Sequence, residues 1–402
     1  MATNAGPLLF VNPSIQLQEM RNTRKKAEGK RQKGEGRRWK KLAILNVTLL
    51  AMVGWLFTSC KESPVDTVYF DFSGNKGVYI VNEGNFMYGN SSLSFYDPTA
   101  KRVYNQVFMS RNGAPLGDVA QSMYLWKNLG FVVVNNSGKI YVIDNTTAEF
   151  QGSISGLSSP RYIHIFDQEK AYVTDLYARK ITIFNPETFQ ITGKISVVNS
   201  KSQFGQHSTE QMVAYKNLLF VNCWSYDNKI LVIDTNTDQV KDSIEVFKQP
   251  NSIILDKYNK LWIMTDGGFD GSAYGYEQPG LLKIDAETRE IERTFRFPLG
   301  DHPIKMCLNP AGDSIYYINR HVWRMSVNDK RIPDQPFITS ENTTTYGGFY
   351  SLGIDPSTNE IYVGDAIDHK QNGHVKRFSR SGKLLDEFKV GISPGNFSFK
   401  TE

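Results

Sequence analysis

Short apolar runs rich in Val, Ile, Tyr and Phe recur along the chain, each bounded by polar stretches rich in Gly, Asn, Asp and Ser. Runs of this length and composition, bounded this way, predict β-strands. Seven of them share one phrase: "VYIVNE" from Val78, "FVVVNN" from Phe131, "AYVTDL" from Ala171, "LFVNCW" from Leu219, "LWIMTD" from Leu261, "IYYINR" from Ile315 and "IYVGDA" from Ile361. Aligned on Tyr79, Val132, Tyr172, Phe220, Trp262, Tyr316 and Tyr362, they are spaced by 53, 40, 48, 42, 54 and 46 residues. The mean of about 47 falls in the range of propeller blades. No helical period persists for more than a turn or two.

A second run follows each of these, as in "LSFYDPTA", "KIYVIDNTT" and "KILVIDTNT". Five of the copies end on Asp97, Asp144, Asn185, Asp234 and Asp285, side chains suited to bonding the backbone two residues on and closing a tight turn. Further β-rich stretches such as "FQGSIS" and "ITGKIS" come next. From the second repeat onward an apolar strand also precedes the shared phrase, as "SMYLW", "YIHIF", "QMVAY", "SIILD", "KMCLN" and "SLGID". The first repeat lacks it, and "SPGNFSFK" near the C-terminus has the same phrasing. The pattern therefore predicts an all-β fold: a seven-bladed β-propeller of four-stranded blades over about Val68–Thr401, its C-terminal strand closing the first blade.

The N-terminus reads differently. Eleven Lys and Arg lie between Arg21 and Lys41, and an apolar run follows from Leu42 to Thr58, broken only by Asn46 and Thr48. Small residues, Thr58 and Ser59, then precede Cys60. A basic stretch, an apolar core and small residues are the parts of a secretory signal. The segment resembles the lipobox of bacterial lipoproteins, in which the Cys is lipidated and becomes the first residue of the mature chain; Phe57 stands where Leu is usual. An uncleaved single-pass anchor is the alternative. The expected organisation is an N-terminal extension and signal over 1–59, the lipidated Cys60 with a tether over 60–67, and the propeller over 68–402. Met1 and Met20 are alternative starts. "KESPVD" after the Cys resembles the signal that exports lipoproteins to the cell surface in Bacteroidetes.

The signal also carries most of the basic excess. The whole chain has 46 basic and 41 acidic side chains; without the 11 basic and 3 acidic ones of residues 1–59, 35 and 38 remain, net −3. A near-neutral domain offers no electrostatic footprint for nucleic acid. Cys223 and Cys307 are expected as free thiols in different strands, since a domain this large folds without a disulfide.

Function in such a fold is expected on the loops joining second to third strands and one blade to the next, which share a face. The long ones are Asn82–Ser92, Asn222–Asn228, Thr265–Gly280 and Gly364–Gly373, rich in Gly, Asn, Tyr, Phe and Trp. Aromatic side chains with polar tips among adaptable amides make a recognition surface. Signals for chemistry are thin. "TDGGFDGSAYG" lacks the ligand alternation of an EF-hand, and the six His residues show no HExxH or paired ligand spacing. There is no GxSxG elbow and no phosphate-binding loop. Asp175, Asp266 and Asp365 end equivalent strands near the channel mouth; they are expected to cap turns, with a role as acid–base carboxylates the alternative. His207, His321 and His369 fall at loop ends where a ligand is within reach.

The lipobox, "VYIVNEGNFMYGNSSLSFYDP" and seven variants of the repeat phrase resemble the YncE-like propeller lipoproteins of the Bacteroidetes. Within them, "NEGNF…GNSSLSFYD" is similar to the BtuG-type surface lipoproteins. That resemblance implies a non-enzymatic protein, lipid-anchored on the outer membrane and exposed at the cell surface, which captures cobalamin and hands it to a TonB-dependent transporter. It implies cobalamin as ligand rather than cofactor, and no resident metal. A corrinoid is wide, flat and ringed with amides, which suits a face of Asn, Ser and aromatics. The candidate contacts are Asn85, Phe86, Tyr88, Trp224, Tyr226, Tyr274, Tyr276 and Asp365. Two alternatives stay open: capture of a glycan or a protein by the same face, and a lactonase- or lyase-like enzyme with a metal or a His–Glu pair at the channel mouth.

Overall fold

A computed structural model describes residues 76–342 and 347–401. The predicted signal, Cys60 and tether lie outside the described residues. The chain forms a seven-bladed β-propeller. Blade 1 contains β1 (Gly77–Asn82), β2 (Ser92–Asp97) and β3 (Arg102–Tyr104), followed by a short helix, α1 (Val107–Asn112). Blade 2 is β4 (Ala120–Trp126), β5 (Leu129–Val134), β6 (Lys139–Asp144) and β7 (Phe150–Ile154). Blade 3 is β8 (Pro160–Ile165), β9 (Ala171–Asp175), β10 (Lys180–Phe184) and β11 (Ile191–Ser196). Blade 4 is β12 (Thr209–Tyr215), β13 (Leu218–Cys223), β14 (Lys229–Asp234) and β15 (Gln239–Glu245). Blade 5 is β16 (Pro250–Leu255), β17 (Lys260–Thr265), β18 (Gly280–Asp285) and β19 (Ile291–Arg296). Blade 6 has β20 (Ile304–Leu308), β21 (Ser314–Asn319) and β22 (His321–Ser326), and blade 7 has β23 (Phe349–Ile354), β24 (Ile361–Asp365), β25 (Asn372–Phe378) and β26 (Leu384–Ile392). The last strand, β27 (Pro394–Lys400), returns to blade 1 and pairs antiparallel with β1, Ile80 opposite Phe397 and Val78 opposite Phe399.

The apolar runs continue across alternate positions because each second strand is buried on both faces. Phe131 and Val133 of β5 pack toward blade 3, while Val132 and Val134 pack toward blade 1. The result is seven apolar clusters among the described residues, one at each blade joint. Six of the seven aligned repeat residues have no exposed surface, and Tyr316 is 6% exposed. Short polar side chains tie the joints together. Ser351 donates to the Pro394 carbonyl (2.6 Å), Ser398 to Met123 (2.7 Å), Ser122 to Arg161 (2.6 Å), Thr174 to Glu210 (2.6 Å) and Asn222 to Pro250 (2.6 Å).

The five turn residues act as their type predicts. The side-chain oxygen of Asp144 accepts the amides of Thr146 and Thr147 at 2.8 and 2.9 Å, and Asp285 accepts Glu287 and Thr288, both at 2.8 Å. Four residues after each of the five, the chain passes through the left-handed region: Lys101, Ala148, Phe189, Asp238 and Arg289 have φ between 51° and 67°.

Blade 6 departs from the four-strand plan. Beyond β22 the ladder continues only as a single bridge, Val322 to Ile338. The segment there reads "RIPDQPF", and its two prolines lack the amides that a ladder needs.

Candidate functional site

All seven inner strands slip register by one residue near their first residues. A bulge aims its extra residue away from the ladder. The residues at this equivalent position are Gln121, Arg161, Glu210, Asn251, Lys305, Tyr350 and Gly395, one per blade. They sit where the inner strands begin, at the loop end of the central channel. Gln121 Oε1 accepts from Arg161 Nη1 at 2.5 Å, and Arg161 Nε lies 2.7 Å from Glu210 Oε1. Gly395 contributes no side chain, and Glu83, following β1, fills its place: a Cβ on Gly395 would lie 2.2 Å from Glu83 Oε1. Tyr350 donates to Glu83 Oε2 at 2.7 Å, and Lys305 Nζ donates to the Gly395 carbonyl at 3.0 Å while lying 5.4 Å from the Tyr350 ring.

Burial acts to discharge both members of the Arg161–Glu210 pair. In Arg161 the neighbouring carboxylate of Glu210 outweighs it and holds the guanidinium charged. In Glu210 burial wins over the charges of Arg161 and Lys305, and its carboxyl sits above the ordinary value. Burial, with Glu83 beside it, also pushes the Tyr350 phenol up, so Tyr350 stays a hydrogen-bond donor.

Beside this polar ring, blades 4 and 5 raise an aromatic cluster. Tyr226 meets Phe204 at 5.3 Å, Tyr274 at 6.2 Å and Phe269 at 6.4 Å between ring centroids, each edge-on. Edge-on rings at such distances stabilise one another beyond their buried area. Lys248 Nζ lies 4.9 Å from the Tyr274 ring. Trp224 donates its indole N–H to Asp266 at 2.8 Å, and the Arg161 guanidinium lies 6.0 Å from its ring, linking cluster to ring. Tyr276 is half-buried and bridges Gly268. These four predicted residues, Trp224, Tyr226, Tyr274 and Tyr276, therefore fall in one neighbourhood.

The predicted residues of blade 1 form a second patch. The loop is closed by Asn90, whose side chain accepts the Asn85 amide at 2.7 Å, and held to blade 7 by Asn85 Nδ2 donating to the His369 carbonyl at 2.6 Å. Its tip presents Phe86, Met87 and Tyr88 at 41, 60 and 79% exposure. Asn85 thus holds the loop, and Phe86 and Tyr88 are free to contact a ligand.

Asp365 is buried, and its carboxylate accepts the Ile367 amide at 2.9 Å. Asp175 accepts four amides, from Ser158, Ser159, Tyr177 and Ala178, and Asp266 accepts Gly268. All three carboxylates cap turns, so Asp365 supports the face from within.

Sequence reasoning passed over Glu83, Arg161, Glu210, Lys305 and Tyr350 of the ring, and Phe204 and Phe269 of the aromatic cluster. Arg161, Glu210, Lys305 and Tyr350 share the second position of their inner strands, and Glu83 follows β1. Three of the ring residues follow a proline directly: Arg161, Asn251 and Gly395.

Among solved structures, the chain is similar to a quinoprotein alcohol dehydrogenase-like protein from Bacteroides thetaiotaomicron, with 16% identity, a TM-score of 0.61, and coverage of 82% of this chain and 79% of that one. It is similar also to a functionally unknown protein from Desulfotomaculum acetoxidans (12% identity, TM-score 0.57, 81% of this chain and 98% of that one). Virginiamycin B lyase from Staphylococcus aureus matches at 12% identity and a TM-score of 0.52, over 70% of this chain and 92% of that one. At these identities the likeness is one of fold. Among curated proteins, Protein HIR2 of Kluyveromyces lactis is 32% identical over 102 residues, a match spanning 25% of this chain and 11% of that protein. A family model described as a domain of unknown function matches residues 76–392, nearly the whole propeller, and the chain belongs to that family, DUF5074.

Proposed function

We propose that the protein captures a wide, polar small molecule, a corrinoid such as cobalamin, on the loop face of the propeller and releases it without chemical change. The reading is carried by one observation: aromatic surface on two sides of a polar ring. Trp224, Tyr226, Tyr274 and Tyr276 gather at blades 4 and 5, and Phe86, Met87 and Tyr88 are exposed at blade 1. Large aromatic area around a few placed polar groups suits a ligand broad enough to reach both patches. The ring residues supply donors and acceptors of both charges for its amides. Asp175, Asp266 and Asp365 are held by backbone amides, and Glu83 and Glu210 are engaged by Tyr350 and Arg161, an arrangement that favours binding over acid–base work.

In this proposal Cys60 carries the lipid anchor, the propeller stands at the surface of the outer membrane, and a TonB-dependent transporter receives the ligand. Calorimetric titration of the purified chain with cyanocobalamin tests the reading. One-to-one binding supports it. Absence of both heat and thermal shift would transfer the face to a glycan or protein ligand.

A further inference from the structure

Blade 4 brings three donor side chains together that lie apart in sequence. His207 precedes β12, Cys223 ends β13 and Asp227 precedes β14, and the antiparallel pairing of these strands places all three at the loop end of the blade. One ligand atom from each lies within 4.8 Å of the others. His207 Nδ1 is 2.7 Å from Asp227 Oδ2. Cys223 Sγ lies 3.9 Å from the Val221 carbonyl. Cys223 is fully buried and Asp227 nearly so, while the His207 side chain is 17% exposed and gives the cluster its side toward solvent.

We infer that His207, Cys223 and Asp227 form a binding site for a single divalent cation of borderline softness, zinc or cobalt(II). Imidazole nitrogen, thiolate sulfur and carboxylate oxygen together suit such ions better than magnesium or calcium, which take oxygen donors. Zinc holds these donors at about 2.0–2.3 Å, so closing the observed spread takes side-chain movement of about an ångström. The charges balance as well. The cation displaces the Cys223 proton to solvent, and its two positive charges meet one thiolate and one carboxylate, with His207 neutral, leaving a neutral buried site. Three protein donors leave the fourth tetrahedral position for water or a small ligand. The site is independent of the corrinoid reading.

Cobalt(II) added to the reduced, purified chain tests this directly. The expected result is a thiolate-to-cobalt charge-transfer band in the near ultraviolet that saturates at one equivalent. Cys223→Ser removes that band although Cys60 and Cys307 remain. His207→Ala, at the more exposed corner and least exposed to folding effects, keeps the sulfur band and weakens cobalt binding. Loss even of a ligand's outer partner costs about 10–100-fold, so loss of this ligand should weaken binding by at least about tenfold. No charge-transfer band, or a band unchanged in both variants, overturns the inference.

Discussion

Glu83 and Gly395 share one position in the central ring: the glycine supplies the backbone and the glutamate, from the far end of β1, supplies the side chain. The pairing joins the first blade's loop to the closing strand. A methyl group at Gly395 would collide with Glu83 Oε1 at 2.2 Å. Gly395→Ala should therefore displace Glu83 from Tyr350 and destabilise the protein by about 1–3 kcal/mol, the usual cost of overpacking. Adding Glu83→Ala makes room and should recover part of that loss. Urea denaturation of the two single variants and the double checks it; strictly additive losses would refute the shared position.

Removal of β27 is a larger test of the same closure. Without it β1 loses its inner partner, and Tyr362 loses the rings of Phe397 and Phe399 at 6.1 and 5.4 Å. A chain ending at Ser393, which keeps β26 whole, should lose the cooperative thermal transition of the whole ring. An unchanged melting temperature would show that the strand is only a tail.

The two members of the Arg161–Glu210 pair should not be equivalent on substitution. Glu210→Ala strands a guanidinium that cannot discharge, and removing one partner of a buried pair costs about 3–5 kcal/mol. Arg161→Ala leaves a carboxyl that burial already holds above its ordinary value. It can take up a proton, so its loss should be smaller. The sign follows from linkage: an acid whose folded pKa is raised binds more protons folded than unfolded. Stability of Arg161→Ala should thus recover, relative to the parent, as pH falls toward the ordinary glutamate value. Denaturation midpoints from pH 7 to 4.5 decide this; equal losses for both variants would contradict it.

Between blades 7 and 1, Arg377 lies 2.7 Å from Asp386 and 2.8 Å from Glu360, and Tyr96 donates to Asp386 at 2.9 Å. Burial pushes the Asp386 carboxyl up, but hydrogen bonds from Tyr96, Lys101 and Arg377 outweigh it and hold it below the ordinary range. Asp285, bonded by Lys260, is lowered to about 2. Depressed carboxylates contribute stability that is complete above their unfolded values, near ~4, and lost as pH falls below them. Stability should drop from about pH 4 downward, and Asp386→Asn should flatten that drop. A profile as steep in the variant as in the parent would assign the acid sensitivity elsewhere.

The propeller was legible in the sequence because strand burial writes itself as composition. Tyr79, Trp262 and Tyr362 are aligned by the repeat and are all fully buried. The closing strand was legible because "SPGNFSFK" repeats the phrasing of the other inner strands. The three-stranded sixth blade was masked by the regular spacing of its neighbours, although Pro333 and Pro336 mark the place. The aromatic cluster was half legible. Long Gly-rich loops pointed to Trp224, Tyr226, Tyr274 and Tyr276, but Phe204 lies on a different loop and joins them only through tertiary packing. The ring was not legible, because its members are unlike one another in type. What unites Gln121, Arg161, Glu210 and Tyr350 is a backbone bulge, and a bulge leaves no fixed residue signature.

Repeating the cyanocobalamin titration on variants of both patches tests ligand capture by the loop face most directly. Trp224→Ala and Tyr226→Ala, and separately Phe86→Ala with Tyr88→Ala, are expected to weaken binding by about 1–3 kcal/mol each, as aromatic anchors do. Tyr258→Ala is the control: it is half exposed on the turn joining β16 to β17, at the opposite end of the blade, and should leave the affinity unchanged. Affinity that ignores both aromatic patches, or falls equally with Tyr258→Ala, would contradict the account.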